Sequence, residues 1–417
     1  MRRTSVTRAE DKHIPETAGF DRRVFAVGMV GFCAFLGLYA TQPILPMLQA
    51  IFGASKLGVS LTVSAATLGV ALAAPWVGVL ADLRGRKKVI VPAIWMMGAT
   101  YLLAATSGGL STIIFWRFLQ GLLTPAVFAV TVAYINEEWP RSEVGFVTSV
   151  YVAGTVLGGF TGRFLSGLVA AHFSWHWSFV VLGVLNLGMA PAISAWLPRA
   201  KTFHRSGDVR GAVRDMLGHL HNRSLLAIYA VGFTILFGLV GTFTYVTFYL
   251  AAPPFSLGPS ALGALFTVYL LGAVVTPIAG KWANRLDGWK LLTGAQALSI
   301  IGILLTLVHS LPCIISGVAF CSTGVFLCQV VTNGTIGLAA GKARASAVGL
   351  YVTFYYFGGF VGATAPGFMW NLGGWPVCAI FIASVLALSL VFVLTVWRRL
   401  EKNRHRQSSL DLSEVAT

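Results

Sequence analysis

Runs of about 20 mostly apolar residues, separated by short polar links, recur along the whole chain. An α-helix rises 1.5 Å per residue, so each run is long enough to cross the ~30 Å hydrocarbon core of a bilayer. Twelve such spans are visible, at 24–49, 60–81, 89–107, 111–136, 144–170, 177–197, 225–250, 260–283, 289–308, 312–339, 345–370 and 375–397. Each carries small residues drawn from Gly, Ala and Ser, which let helices pack closely in lipid. Short links make consecutive helices antiparallel neighbours. The pattern predicts an all-α membrane protein with 12 transmembrane helices. The longest polar link, 198–224, follows the sixth span and divides the chain into a cytoplasmic N-terminal segment (1–23), a six-helix bundle (24–197), a linker (198–224), a second six-helix bundle (225–397) and a tail (398–417).

Composition identifies the solvent. Of 417 residues, 56% are hydrophobic and 11% charged, against roughly 25% charged in soluble domains. The net charge of +16 would suit nucleic acid, but the basic residues cluster between the apolar runs, which is the signature of membrane orientation. With the N-terminus inside, 27 of the 30 Lys and Arg face inward, Lys56 alone faces outward, and Arg117 and Arg163 lie within spans. Both termini are thus expected in the cytoplasm, with lipid as a partner and no nucleic acid. Residues 1–23 are polar and basic without a small-residue cleavage site, so the first span is expected to insert uncleaved. Cys33, Cys313, Cys321, Cys328 and Cys378 sit in or beside apolar runs without metal spacing, and read as small core residues. No metal or cofactor is expected.

The halves repeat. Tyr151, Val152, Gly158, Gly159, Phe160, Gly162, Gly167 and Trp175 recur 200 residues later as Tyr351, Val352, Gly358, Gly359, Phe360, Gly362, Gly367 and Trp375. Pro75 and Gly78 recur as Pro277 and Gly280. Span five thus matches span eleven, and span two matches span eight. Duplicated halves with a site between them are typical of secondary transporters.

Three motifs carry chemistry. The link after span two holds Gly78, Asp82, Arg84, Gly85, Arg86, Lys87 and Lys88. Gly78 permits close helix contact, Gly85 permits a tight turn, and Asp82, at the C-terminal end of its own helix, is not favoured by that helix's dipole and wants another partner. Span four holds Arg117, Gln120 and Gly121; an arginine in lipid is either functional or bonded to backbone carbonyls as a structural element. Span five holds Gly154, Gly158, Gly159, Gly162 and Arg163, a glycine face suited to backbone contact.

Together these resemble the major facilitator superfamily (MFS), over nearly the full chain. The resemblance implies the MFS fold of two pseudo-symmetric bundles, a monomer, and a role for Asp82 in closing the cytoplasmic side against the N-terminus of span eleven. It links Arg117 to proton transfer or to holding span one. The span-five glycines are similar to those of the drug–proton antiporter branch, with Gly159 in place of Pro and Arg163 in place of a second Gly. Tyr39 and Gln42, Gln120, the Glu137–Glu138 end of span four and the glycine face resemble the bacterial YnfM-like transporters, which implies a bacterial inner membrane. A glycine seam between the bundles, of Gly154, Gly158, Gly159, Gly162, Gly358, Gly359 and Gly362, is expected. The candidate pathway comprises Tyr39, Gln42, Arg117, Gln120, Arg163, Thr242, Tyr245, Tyr269, Gln329, Asn333, Tyr355 and Tyr356.

None of the 14 acids and none of the eight histidines lies in the middle of a span. Proton-coupled carriers usually relay through such groups. Protons could bind Asp82, Glu137 or Glu138, travel on the substrate, or take no part. With Arg117 and Arg163 unopposed, an organic cation is disfavoured, and a small neutral or anionic solute is expected. The resemblance favours proton-coupled export; uptake or uncoupled movement of a sugar or organic acid is the alternative. A non-transporting sensor would need an extramembrane domain, and an enzyme would need a clustered catalytic set; neither pattern is present.

Overall fold

The computed structural model describes residues 21–198, 209–272, 274–275, 278, 286–340, 344–399 and 401. Several expectations fall outside these residues: 1–20 of the first segment, 199–208 of the linker, Pro277 and Gly280 of the repeat, and the tail beyond 401.

Among the described residues the regular structure is helical, with no strand. Nine helices among the described residues are long and apolar enough to cross a membrane, from Lys56–Arg84 to Arg344–Trp397. They match spans two to seven, nine and ten, with eleven and twelve as one element. That element, Arg344–Phe392 followed by a π-turn at Val393–Trp397, leaves helical geometry at Gly373 and Gly374. Gly374 has φ +67°, a left-handed conformation in which a Cβ would be strained. Span one is also broken, into Arg22–Leu36, a 3-10 turn at Gln42–Ile44 and a short helix Leu45–Phe52. Span eight starts as Pro259–Leu265 and tightens to 3-10 geometry over Phe266–Tyr269. The element order is consistent with the twelve crossings.

Local chemistry fixes the ends. Asp21 accepts from the Arg23 amide at 2.8 Å, Ser55 Oγ from Gly58 at 2.9 Å, and Asn222 Oδ1 from Ser224 at 3.0 Å, side-chain caps for amides with no helical partner. Gly85 turns the chain with φ +91°, as the sequence requires. The linker contains a helix, Val209–His219, that packs on the Arg344–Phe392 helix; its polar composition hid it from the span pattern. Phe146, Leu388 and Leu372, 65%, 71% and 74% exposed, are large apolar groups on the outside, as a lipid-facing surface demands.

The glycine seam differs from the expectation. Gly154, Gly158 and Gly162 press span five onto the carbonyls of Gly28, Phe32 and Leu36 in span one; Gly358 and Gly362 press span eleven onto those of Phe233 and Phe237 in span seven. The contact is made twice, once within each half, and not between the halves. The reason lies in the repeat: equivalent helices meet equivalent partners. Gly159 lies beside Arg163 Nη1 and Phe35, and of the set Gly359 alone also reaches across, to Thr67. Other details obey the repeat. Ser178 Oγ donates to the Ser166 carbonyl at 2.9 Å, and Cys378 Sγ to that of Pro366 at 3.0 Å, both pairs displaced by 200 positions. Gly78 is a second correction: a methyl group there meets nothing within 4 Å, so no close helix contact depends on it. Gly158→Val should therefore lower the melting temperature sharply, since backbone cannot yield as a side chain can, while Gly78→Ala should leave it unchanged. Thermal unfolding in detergent checks both.

Spans two and eleven run against each other between the halves. Thr353 Oγ1 donates to the Ala71 carbonyl at 3.1 Å, a β-carbon at Gly349 would lie 3.6 Å from Pro75 Cα, and one at Gly367 would lie 3.1 Å from Leu57 Cβ.

Candidate functional site

The break in span one organises the buried charge. Residues 37–41 form successive turns, with Ala40 N bonded to Gly37 O and Gln42 N to Tyr39 O, each at 3.1 Å. Pro43 and Pro46 stand just beyond, where a proline at the first helical positions removes only amides that lack partners. The carbonyls of Gly37 and Leu38 are left facing span four, and Arg117 meets them. Its Nη1 donates to Gly37 O at 2.7 Å, its Nη2 to Leu38 O, its Nε to Thr62 O at 3.0 Å, and Gln120 Oε1 accepts from Nη1 at 2.5 Å. Arg117 is completely buried. Of the two readings left open by the sequence, this geometry is the backbone-bonded arginine that holds span one.

Arg163 is placed differently. Its Nε donates to Gln42 Oε1 at 2.9 Å and its Nη1 to the Gly159 carbonyl, one turn back, at 2.7 Å. The guanidinium faces the rings of Tyr269, Tyr39 and Phe266 at 4.5, 4.6 and 5.0 Å, cation–π contacts strengthened by the dry surroundings. Two of those rings belong to span eight, so this side chain joins the halves.

Beside Arg163 is a cavity of about 290 Å³. The first half contributes Phe35 and Tyr39 from span one, and Val152, Thr155, Val156, Gly159 and Arg163 from span five. The second half contributes Leu236, Leu239, Tyr269, Phe326, Gln329, Val330, Asn333, Tyr355 and Tyr356, from spans seven, eight, ten and eleven. Among the described residues no Asp, Glu or His lines it. The apolar walls and few polar ends suit a small organic molecule.

The remaining candidates fall elsewhere. Gln42 is buried, and its Nε2 donates to Thr244 Oγ1 across the halves at 3.1 Å. Tyr245 Oη donates to the Ala363 carbonyl at 2.8 Å and lies 3.2 Å from Ser60 Oγ in the other half. With Lys56 over the Trp370 ring at 5.0 Å and Gly167 against Pro259 and Gly263, these contacts close the Lys56 end of the cavity. Thr242 is buried within the second half, 4.0 Å from Cys321 Sγ, and Gln120 serves Arg117; neither lines the cavity. Sequence reading missed Thr244, Ser60 and Phe266. The register could have found Thr244, which stands 202 positions after Gln42, the same displacement as Pro75 and Pro277.

At the other end Glu137 holds Arg86, with Nε donating to Oε2 at 2.5 Å and Nη2 to Oε1. Asp82 Oδ1 lies 3.3 Å from the same Nη2. Among the described residues Asp82 is therefore paired with its own link and not with the N-terminus of span eleven, whose preceding residues 341–343 are not described; the nearby guanidinium one turn away supplies the counter-charge. Arg84 is exposed, and Glu138 is partly buried beside the pair.

The sequence profile of the Major Facilitator Superfamily matches residues 27–336 and 250–415. An uncharacterized transporter of Buchnera aphidicola subsp. Schizaphis graminum is 32% identical over 387 residues, 93% of each chain. The inner membrane transport protein YnfM of Escherichia coli K12 is 31% identical over 386 residues, 92% of each. The crystal structure of the nucleoside transporter NupG superposes with a TM-score of 0.76 at 11% identity, covering 89% of this chain and 98% of its own, a likeness of fold.

Proposed function

This chain belongs to the major facilitator superfamily, and as a membrane transporter of that kind we propose that it carries a small neutral or anionic organic solute across the bacterial inner membrane, as a monomer with both termini in the cytoplasm, by proton-coupled export. The observation that carries the reading is the cavity between the two halves, walled by six spans and holding a buried arginine with no carboxylate opposite it among the described residues. The 24–197 and 225–397 bundles would rock about this site, opening it to one face at a time. Contacts at the Lys56 end supply the closure on one face. The Asp82–Arg86–Glu137 cluster would adjust during the swing, and its carboxylates are the available proton sites. The drug–proton-antiporter character of the span-five glycines supports export.

One observation favours a second reading, movement down the solute's own gradient: no titratable acid or histidine among the described residues reaches the cavity. Flux in liposomes separates the two. A pH gradient should accelerate transport, and a protonophore should return it to the ungraded rate; flux indifferent to the gradient establishes the uncoupled alternative. Rapid electrogenic movement of a cationic dye overturns the substrate class.

A further inference from the structure

Seven polar groups on the cavity wall make no hydrogen bond to the described protein. They are the hydroxyls of Tyr39, Tyr269, Tyr355 and Tyr356, the amides of Gln329 and Asn333, and Nη2 of Arg163. The four tyrosines and Arg163 are each more than nine-tenths buried. Gln329 is half-buried and Asn333 is exposed, while the tyrosine hydroxyls and Arg163 Nη2 keep some open space beside them, which the cavity supplies. Buried polar groups are satisfied in the great majority of cases, and five idle buried ends around one space, with two amides beside them, indicate an occupant.

Their order along the cavity describes that occupant. Arg163 stacks on Tyr269, and Tyr269 meets Phe326 edge-on at 6.1 Å. Gln329 and Asn333 follow Phe326 on span ten, and at 1.5 Å per residue they lie ~4.5 and ~10 Å further along the axis. A cation with a free N–H pair thus stands at one end of this series and neutral amides at the other, and the rings of Phe35, Phe326, Tyr355 and Tyr356 also line the cavity. Rings pack on rings edge-to-face or offset, and a guanidinium in a dry site favours a carboxylate. Every nitrogen of the Arg117 guanidinium already has an acceptor in three carbonyls and Gln120, whereas Arg163 Nη2 has none in the described protein, so an anion is met there.

We propose that the cavity binds a small aromatic monoanion, with its carboxylate on Arg163 Nη2 and the neighbouring tyrosine hydroxyls, and a distal hydroxyl or amide on Gln329 and Asn333. The assignment rests on reading this cavity as the solute site and narrows its ligand to a class.

The test is equilibrium binding to the purified full chain by calorimetry, with four probes: 4-hydroxyphenylacetate, the neutral 4-hydroxyphenylacetamide, the cation tyramine, and phenylacetate. The acid should bind roughly 10- to 100-fold more tightly than the amide, the range expected for a charge-assisted hydrogen bond. Tyramine should not bind, and loss of the ring hydroxyl should weaken binding several-fold. Arg163→Gln should remove the advantage of acid over amide while the amide still binds. Asn333→Leu should remove the advantage of the hydroxyl while the preference for acid persists, and it keeps the test decisive should Arg163→Gln fail to fold. Equal binding of acid and amide, an acid preference that survives Arg163→Gln, a hydroxyl advantage that survives Asn333→Leu, or no binding of any probe overturns the proposal. If the amide is bound and transported but the acid is not preferred, the transporter reading stands without this one. If the acid is bound as described but no probe crosses vesicles, the site stands and the transport reading falls.

Discussion

Arg117→Met protein is expected to unfold in detergent several degrees below the parent. Methionine fills much of the same volume but donates nothing. The carbonyls of Gly37, Leu38 and Thr62 each lose a bond to a charged donor, worth about 1.5–3 kcal/mol apiece, while relief from burying a cation offsets part of the loss. A net cost on the order of 3 kcal/mol follows, enough to release the turn at 37–41. Gly37 O keeps its bond from Ala40, so the break should loosen and not re-form as helix. Arg117→Lys separates structure from chemistry. Lysine keeps the charge but cannot fork to three acceptors. Stability lost in both variants makes the residue a clamp on span one. Lysine stability near the parent value, with flux abolished, would return Arg117 to a role in proton transfer. Full stability of the methionine variant would show that the clamp is dispensable.

The second large effect concerns the seam between spans two and eleven. In a Leu57→Cys, Gly367→Cys double variant the two β-carbons would start 3.1 Å apart, a small adjustment from the ~3.5–4.5 Å of a disulfide. The Tyr245 hydroxyl, 2.5 Å from the new β-carbon, must move aside. Once oxidised, the bond pins the Lys56 end shut, and flux should fall to the rate of protein-free vesicles, then recover with reductant. Each single variant should transport under both conditions. Of the native cysteines, four are buried and Cys313 is half-buried, so a Cys313→Ser background removes the accessible competitor. Undiminished flux from fully cross-linked protein would mean that this end never opens and that the halves do not rock as proposed.

The sequence carried the fold because lipid imposes a simple grammar: spans must be long, apolar and helical. The break at Gly373–Gly374 falls in the gap between the spans at 345–370 and 375–397, whereas nothing in the sequence marks the one at Phe266–Tyr269, where no residue forces the tighter turn. The site was legible by type. Tyr39, Arg163, Tyr269, Gln329, Asn333, Tyr355 and Tyr356 were polar groups in apolar helices, and all line the cavity. Thr242 had the same signature but faces the interior of one half, because composition does not state which side of a helix meets the partner bundle. The seam was misplaced for a related reason. Small residues announce that a helix touches another, and matched glycines in spans five and eleven suggest that those two meet, whereas the repeat gives each its own partner. Asp82 could not be placed from spacing alone, since Arg86, one turn away, competes for it with every helix end nearby.

Arg163 also has an electrical meaning. Arginine does not shed its proton in proteins, so an empty cavity holds a permanent unit charge inside the insulating layer. A membrane voltage of 100 mV acts on one charge with about 2.3 kcal/mol. A monoanion on Arg163 cancels that charge, so the loaded carrier swings with one unit of charge fewer than the carrier without solute. The potential instead bears on the return without solute, in which Arg163 is uncompensated and the proposed proton moves inward, which places the voltage dependence of turnover in that half-cycle.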